Sequence, residues 1–374
     1  MSMTINELLV EARTLPFVPL AATTTYKRNV SVLTKHVDDK LSSMSGIHAL
    51  IGNNPMQVMF DNHKHHAAFM STVFSIGNYE LLCKTVPWVY HAYHSHKFSY
   101  DYFPLELKAW QEAIKKHLDN NSVEAIMKIY DWMIDNHEQF AILSESDMTF
   151  PMPVNADWLS VKSSFQSSLI AGDHKKCMAI ALENVKTAAD IETFYGQIIQ
   201  PVMYEVGMLW EEDVLSVAQE HLASAIVGRV MATISMTTIG AQKKRGKVVV
   251  TASPNEFHEI GAWMIADILE HDGWDMHYLG ANTPQNDLLQ FLLSFRPDIL
   301  AISITTPFNI EKVKDIVDSI RKDKELEKMK IMVGGRIFNE YPDLWRMMGA
   351  DGFAVKVEDA RKLAQQWGEK EDAN

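Results

Sequence analysis

The feature that most constrains this 374-residue chain is a change of texture at Gly246. Beyond it, short apolar runs alternate with helical patterns. Lys247–Ala252 (KVVVTA), residues 275–279, 298–305 (DILAISIT), Lys330–Gly334 (KIMVG) and Gly352–Ala354 read as strands. Residues 260–272, 286–295 and 310–321 read as the helices between them. Strands separated in this way form βαβ units and a parallel sheet, and continuous apolarity is what burial on both faces demands. Right-handed crossovers then give an open doubly wound sheet, with a ligand crevice expected beyond the carboxyl ends of the strands.

Upstream the spacing of apolar residues is helical. Between residues 157 and 240 it predicts helices over 158–171, 174–183, 188–207 or slightly beyond, and 217–239. Asp190 lies near the head of the third, and Ser216 with Gln219 has capping-box spacing for the fourth. Four helices with short connections suggest a small bundle. Residues 1–150 hold ten of the fifteen histidines, and segments such as 106–118 and 122–140 carry helical periodicity. A loop rich in turn formers, 144–155, follows. The expected organisation is therefore three segments, all-α then α/β: a mostly helical domain over 1–150, a four-helix bundle over 151–242 and a sheet domain over 243–374.

Composition narrows the function. Lys plus Arg is 35 and Asp plus Glu is 48, so the formal charge is 35 − 48 = −13, which argues against gripping nucleic acid through the overall field. No run of about 18 apolar residues is present to span a bilayer, and no signal peptide is read, so a cytoplasmic protein is expected. Two cysteines, Cys83 and Cys177, cannot make a disulfide framework or a zinc cage.

The loop after the first strand reads Ser253-Pro254-Asn255-Glu256-Phe257-His258-Glu259-Ile260-Gly261. It has neither a G-x-G-x-x-G nor a Walker lysine. It offers a histidine able to ligate a metal through one ring nitrogen, while Glu256 accepts a hydrogen bond from the other, directly or through water. Gly261 lets the next helix start close to a bulky group. A loop histidine by itself is more often a solvated side chain. The third strand, however, ends Ser303-Ile304-Thr305-Thr306 and the fourth ends Gly334-Gly335, which is expected to admit a ligand group against the backbone. Three matched strand ends surround one crevice.

These residues resemble the cobalamin-binding domain of corrinoid enzymes and sensors, marked by D-x-H-x-x-G, a serine loop and a Gly-Gly pair on a flavodoxin-like (Rossmann-type) sheet behind a helical bundle. Here the pattern stands as Glu256-x-His258-x-x-Gly261, Ser303-x-Thr305 and Gly334-Gly335, with Glu for Asp and without the usual leucine of the serine loop. The Glu variant is similar to that of light-sensing members. The resemblance implies that His258 is the lower axial ligand of cobalt, in place of the cofactor's dimethylbenzimidazole. It also implies that the nucleotide tail enters the sheet between Ser303 and Gly334-Gly335.

Within the bundle, Trp210 ends one helix and Glu220-His221 lies early in the next, nine residues on. A tryptophan beside a histidine is ordinarily core. The W-x9-E-H spacing nonetheless resembles the adenosylcobalamin photoreceptors of the CarH type. In that likeness Trp210 caps the upper ligand, and Glu220 and His221 contact the adenosyl group. Those regulators place a histidine directly after the tryptophan, where this chain has Glu211, and they carry a DNA-binding winged helix for which residues 1–150 offer no basic recognition helix.

Residues 87–104 are dense in aromatics and imidazoles, and His63-Lys64-His65-His66 forms a second cluster. A helical packing domain, a metal site and a planar aromatic cofactor are the three readings, the last because such rings want stacking surfaces and a few polar groups. A histidine- and aromatic-rich helical domain joined to a B12 module resembles the photocobilins. That implies biliverdin, with His91, His94, His96 and Asp101 as candidate contacts. Cys83 reads as a buried, inert thiol.

The expectation is thus a chromophore-bearing light sensor for signal transduction that binds adenosylcobalamin, and with it biliverdin. Photolysis of its Co–C bond would change conformation or oligomeric state. It would act as a homo-oligomer on an unknown protein partner, with no nucleic acid, no membrane and no enzymatic turnover. The alternatives are a corrinoid carrier of a methyl-transfer system and a scaffold with a degenerate B12 fold.

Overall fold

The computed structural model describes residues 4–146, 152–238 and 245–368. Residues 147–151 of the expected interdomain loop and the expected boundary near 242 lie outside the described residues. The chain divides into two compact units, one of residues 1–150 with 211–213 and one of residues 151–210 with 214–374.

The first unit is helical: α1 (Ile5–Ala12), α2 (Leu20–Ser42), α3 (Ile47–Leu50), α4 (Met56–Ile76), α5 (Glu80–Ser95), α6 (Tyr102–His117), α7 (Asn120–Asp135) and α8 (His137–Ser144). The 23-residue α2 is its axis, packing on α4, α6 and α7. The periodicity over 122–140 resolves into two helices that break at Asn136, whose side-chain amide donates to Trp132 O at 3.1 Å.

The second unit begins with α9 (Leu159–Ile170), α10 (His174–Asn184), α11 (Ala188–Phe194), a π-helical turn over Tyr195–Ile199, α12 (Gln200–Glu211) and α13 (Val217–Thr237). Capping boxes start α11 (Thr187 with Asp190) and α13 (Ser216 with Gln219). The π turn interrupts what reads in sequence as one continuous helix.

The sheet follows as β1 (Lys247–Ala252), α14 (Ile260–His271), β2 (Asp275–Tyr278), α15 (Gln285–Phe295), β3 (Ile299–Ser303), α16 (Ile310–Lys322), β4 (Lys330–Gly334), α17 (Ile337–Glu340), α18 (Leu344–Met348), β5 (Gly352–Ala354) and α19 (Val357–Gly368). All pairings are parallel and the order is β2-β1-β3-β4-β5, the flavodoxin-like arrangement. Continuous apolarity holds for β1 and β3 but not for β2, an edge strand reading Asp-Met-His-Tyr with alternate residues exposed. Because the order reverses between β1 and β3, their following loops diverge and open a crevice at the register pair Ala252–Ser303. Among the described residues no helix is long and apolar enough to cross a membrane.

Bundle and sheet share one core: Ile191, Phe194, Ile198, Val227 and Met231 pack with Met264 and Ile268 of α14. Inside it lies a carboxylate, Asp267, only 4% exposed, which accepts the Tyr195 hydroxyl at 2.5 Å. Burial pushes its pKa from 3.8 up to about 6. A raised carboxyl binds its proton more tightly in the folded than in the unfolded chain. Its contribution therefore favours folding fully below about pH 4 and is lost as pH rises through about 6, a difference on the order of 3 kcal/mol. Asp267→Asn is expected to gain stability relative to the parent protein by about that amount between pH 4 and 7, read from urea midpoints. Parallel pH profiles would show that this carboxyl does not titrate in that range.

Candidate functional site

The crevice at the β1/β3 switch is organised by Glu256. The loop leaving β1 is pinned by Ser253 N–H on Ser303 O (3.0 Å) and Glu256 N–H on Ser253 O (3.1 Å), with Asn255 in the left-handed region at φ +60°. This turns the Glu256 side chain inward, to 1% exposure. One carboxylate oxygen meets His258 Nδ1. The other accepts Thr305 N–H (3.0 Å), Thr306 N–H (3.2 Å), Thr306 Oγ1 (3.4 Å) and Asn309 Nδ2 (3.3 Å). Burial alone would raise this carboxyl; the imidazole and the two backbone donors outweigh it and hold its pKa below the usual value.

His258 faces outward, its side chain 61% exposed. The Glu256 hydrogen bond raises its pKa against the effect of desolvation; Glu220 adds to the rise, and Arg336 opposes it. A carboxylate on Nδ1 fixes the Nδ1–H tautomer and leaves Nε2 as a lone-pair donor directed away from the protein. The direct Glu256–His258 contact, rather than one through water, is what the structure shows.

The remaining expected residues fall around this pair. Ser303 is nearly buried at the end of β3, between Ala252 and Gly334 in register. Gly261 is exposed in the first turn of α14, and a methyl there would meet only Ser303 Oγ, at 3.9 Å. Thr305 enters through its backbone N–H. For the glycine pair the structure gives a different reason from the expected one. A Cβ on Gly334 would lie 2.9 Å from Ala354 O, and one on Gly335, at φ +103°, 2.2 Å from Ile304 O. The close approach of the chain's own backbone demands these glycines, whatever ligand passes nearby.

Trp210 is half-buried at the end of α12, and the following turn closes with Val214 and Leu215 N–H on Leu209 O (2.9 and 3.0 Å). Glu220 lies in the first turns of α13, held by Ser224 Oγ at 2.8 Å and near enough for its charge to bear on His258. His221 is 74% exposed, 3.6 Å from the Glu220 carboxylate. Sequence reasoning missed Asn309 and Lys312, whose ammonium donates to Asn309 Oδ1 at 3.4 Å, and the Asn339–Tyr204 contact at 3.4 Å from α17 to α12; Thr306, read only as a hydroxyl at the strand end, also contributes its backbone N–H. Neither Asn309 nor Lys312 carries a motif, and only the fold brings them near Glu256.

In the helical unit two of the four candidate contacts are linked through the Ser144 and Tyr100 hydroxyls, 2.9 Å apart. His91 Nδ1 pairs with Ser144 O (3.0 Å) and His94 Nδ1 with Phe98 O (3.0 Å), its ring stacked on Tyr100. His96 O accepts Asn54 Nδ2 at 2.7 Å, and Asp101 is exposed. A second set of buried polar groups lies on α4, α6 and α7, with Asp38 of α2 at its edge. Asp38 and Tyr102 Oη flank His63 (2.6 and 2.8 Å), and His66 Nε2 meets Tyr130 Oη (3.0 Å) beside Glu106. Burial drives His66 down to about 3 and raises Glu106. Cys83 is buried, its thiol pushed up to about 12 by burial.

Comparison with known proteins bears on this geometry directly. Residues 246–364 and residues 162–235 each match a family described as B12 binding domain. The chain carries a cobalamin-binding module. Over 142 residues it is 30% identical to the HTH-type transcriptional repressor CarH of Myxococcus xanthus, covering 38% of this chain and 46% of that protein. It is 23% identical over 188 residues to dimethylamine corrinoid protein 3 of Methanosarcina acetivorans, covering 50% of this chain and 87% of that one. The structure of Methanosarcina barkeri monomethylamine corrinoid protein shares the fold, with a TM-score of 0.50 at 17% identity over 56% of this chain and 99% of that one. The chain thus spans less than half the length of CarH.

The glycine geometry yields a prediction that needs no cofactor. Gly335→Ala combines a strained φ with a backbone overlap and is expected to cost about 2–4 kcal/mol in chemical denaturation. Gly196→Ala in the bundle, where a methyl meets nothing within 4 Å, should be neutral or stabilising by up to about 1 kcal/mol.

Proposed function

We propose that this protein is a light sensor that holds adenosylcobalamin with His258 as the lower cobalt ligand and changes conformation or assembly when the upper ligand is lost. The observation that carries the reading is the pairing of an outward-facing His258, set by buried Glu256, with Glu220 at the head of α13 directly after the turn that follows Trp210. The cofactor would supply a photolabile Co–C bond. The chain's own residues hold and orient it. Glu256 keeps the proton on Nδ1 so that Nε2 can ligate, Ser303 and the open flank of Gly261 border the entry for the nucleotide tail, and Trp210, Glu220 and His221 line the adenosyl side. With Glu211 after Trp210, the chain has no histidine at that position to take up the vacated coordination site.

Output in this reading runs through a homo-oligomer or a protein partner, with no turnover and no nucleic acid, in keeping with a formal charge of −13. The reading extends to a bilin in the helical unit, whose aromatic faces and buried imidazoles suit a planar, polar-edged ring system. A second reading, a corrinoid carrier for methyl transfer, is favoured by the likeness to dimethylamine corrinoid protein 3, which is matched along 87% of its length.

Upper-ligand preference separates the two. The sensor should bind adenosylcobalamin more tightly than methylcobalamin in the dark and shift its elution on size exclusion after green illumination. Equal affinities with no shift would favour the carrier. Glu256→Gln tests the ligand assignment itself. The amide oxygen is needed to accept Thr305 and Thr306 N–H, so the NH2 faces Nδ1 and donates to it, which forces the proton onto Nε2. Cobalamin affinity should fall about 10–100-fold with the fold retained. An unchanged affinity and visible spectrum would remove His258 as the ligand.

A further inference from the structure

The π turn at Tyr195–Ile199 stands at a mechanically special place. Before it, α11 is tied to the sheet layer twice. Tyr195 Oη donates to Asp267 of α14, and Arg361 of α19 bridges Glu192 of α11 and Asp272 at the end of α14, with Arg361 Nε on Asp272 at 2.8 Å. After it, α12 runs to Trp210 with the Asn339–Tyr204 hydrogen bond as its described polar link to that layer. A π turn holds one more residue than an α turn, so everything beyond it is rotated by about 100° from where an unbroken α-helix would carry it. Such turns are rare and commonly mark functional sites.

Tyr195 is fully buried, and its hydroxyl has a single geometric destination. Ser235 of α13 and Trp263 of α14 favour the charged form of Asp267 against the effect of burial, and the hydrogen bond that the structure shows on this carboxylate comes from Tyr195. The other titratable groups around it are Glu270 on the same helix, which makes a full charge on Asp267 less favourable, and Tyr278 of β2, whose hydroxyl is held by Glu259 at 3.1 Å and whose pKa the Asp267 charge helps to raise. A carboxylate buried in an apolar core is retained at a cost in stability, and its donors define which arrangement of the helices is acceptable.

We propose that the Tyr195–Asp267 pair is the positioning contact for the bundle's lid: it anchors the π turn to α14, sets the rotational register of α12 and so aims Trp210. Neither residue touches cofactor. Loss of the phenol–carboxylate bond lets the segment return to α register, which turns Trp210 off its direction while His258 and Glu256, on the β1–α14 loop, keep theirs. The inference rests on the adenosyl-lid reading for its consequence and on the apo structure for its geometry.

The test uses the full chain with Tyr195→Phe, which removes the hydroxyl at nearly constant volume, and Asp267→Asn, which keeps an acceptor for it. In apo protein, amide hydrogen exchange over residues 196–210 should quicken tenfold or more in Tyr195→Phe and stay close to the parent rate in Asp267→Asn. With cofactor, the ratio of adenosylcobalamin to methylcobalamin affinity should fall toward one in Tyr195→Phe while the absorption spectrum of the His258-ligated corrin is retained. Unchanged exchange over 196–210 overturns the proposal. So does faster exchange spread evenly through the unit with loss of His258 ligation, which is the signature of a merely structural residue. Should the unmutated protein show no adenosyl preference, the sensor reading fails by itself, and the exchange experiment still decides whether this pair holds α12.

Discussion

The hydrogen bond between a buried carboxylate and an exposed imidazole is the interaction on which the site depends. Glu256 is almost wholly withdrawn from water, yet it is held below the usual carboxyl pKa. A buried charge survives only where the donors around it replace the lost hydration. Here they come from the β3–α16 loop, with two backbone N–H groups, a hydroxyl and the Asn309 amide converging on one oxygen. That convergence requires the reversal of strand order between β1 and β3, because only at a switch point do two loops leave in opposite directions and face one another. Fold and ligand geometry are in this sense one constraint. The sheet order creates the donors, the donors retain the charge, and the charge sets the tautomer of His258.

The same backbone crowding explains Gly334 and Gly335. The end of β4 passes so close to Ile304 and Ala354 that any side chain would strike a carbonyl. The glycines therefore let the β3 and β4 ends close on each other, and Ile304 N–H reaches Gly334 O at 2.8 Å. A flat, side-chain-free floor beside Ser303 is a by-product of that packing, and one well suited to an extended ligand tail.

Much of this was legible in the sequence because it rests on local rules. Continuous apolar runs marked β1 and β3, Ser216/Gln219 and Asp190 marked helix starts, and the spacing of Glu256 and His258 placed a carboxylate within reach of an imidazole. What was not legible depends on contacts far apart in the chain. Asn309 and Thr306 lie about 50 residues from Glu256 and carry no motif. The π turn leaves hydrophobic periodicity nearly undisturbed, since Tyr195, Ile198 and Ile199 are apolar in either register. In the helical unit the His91 and His94 imidazoles of α5 are engaged by backbone carbonyls. A second set of buried polar groups is carried by α4, where His63 and His66 share a face three residues apart.

The distinction between a sensor and a carrier comes down to how firmly the upper side of the site is built. A carrier must expose that side to successive partners, so it gains little from helices whose register is rigidly specified. Here α11 and α13 each begin with a reciprocal capping box, α11 is tied to the sheet layer by Tyr195 and through Arg361, and α13 packs so closely on α14 that a methyl on Gly228 would sit 3.3 Å from the Trp263 ring. These devices lie on the two helices that flank α12, while α12 itself is entered through a π turn. Under the sensor proposal α12 is the element with an alternative register, held between two that have none, and that is the form a two-state switch takes.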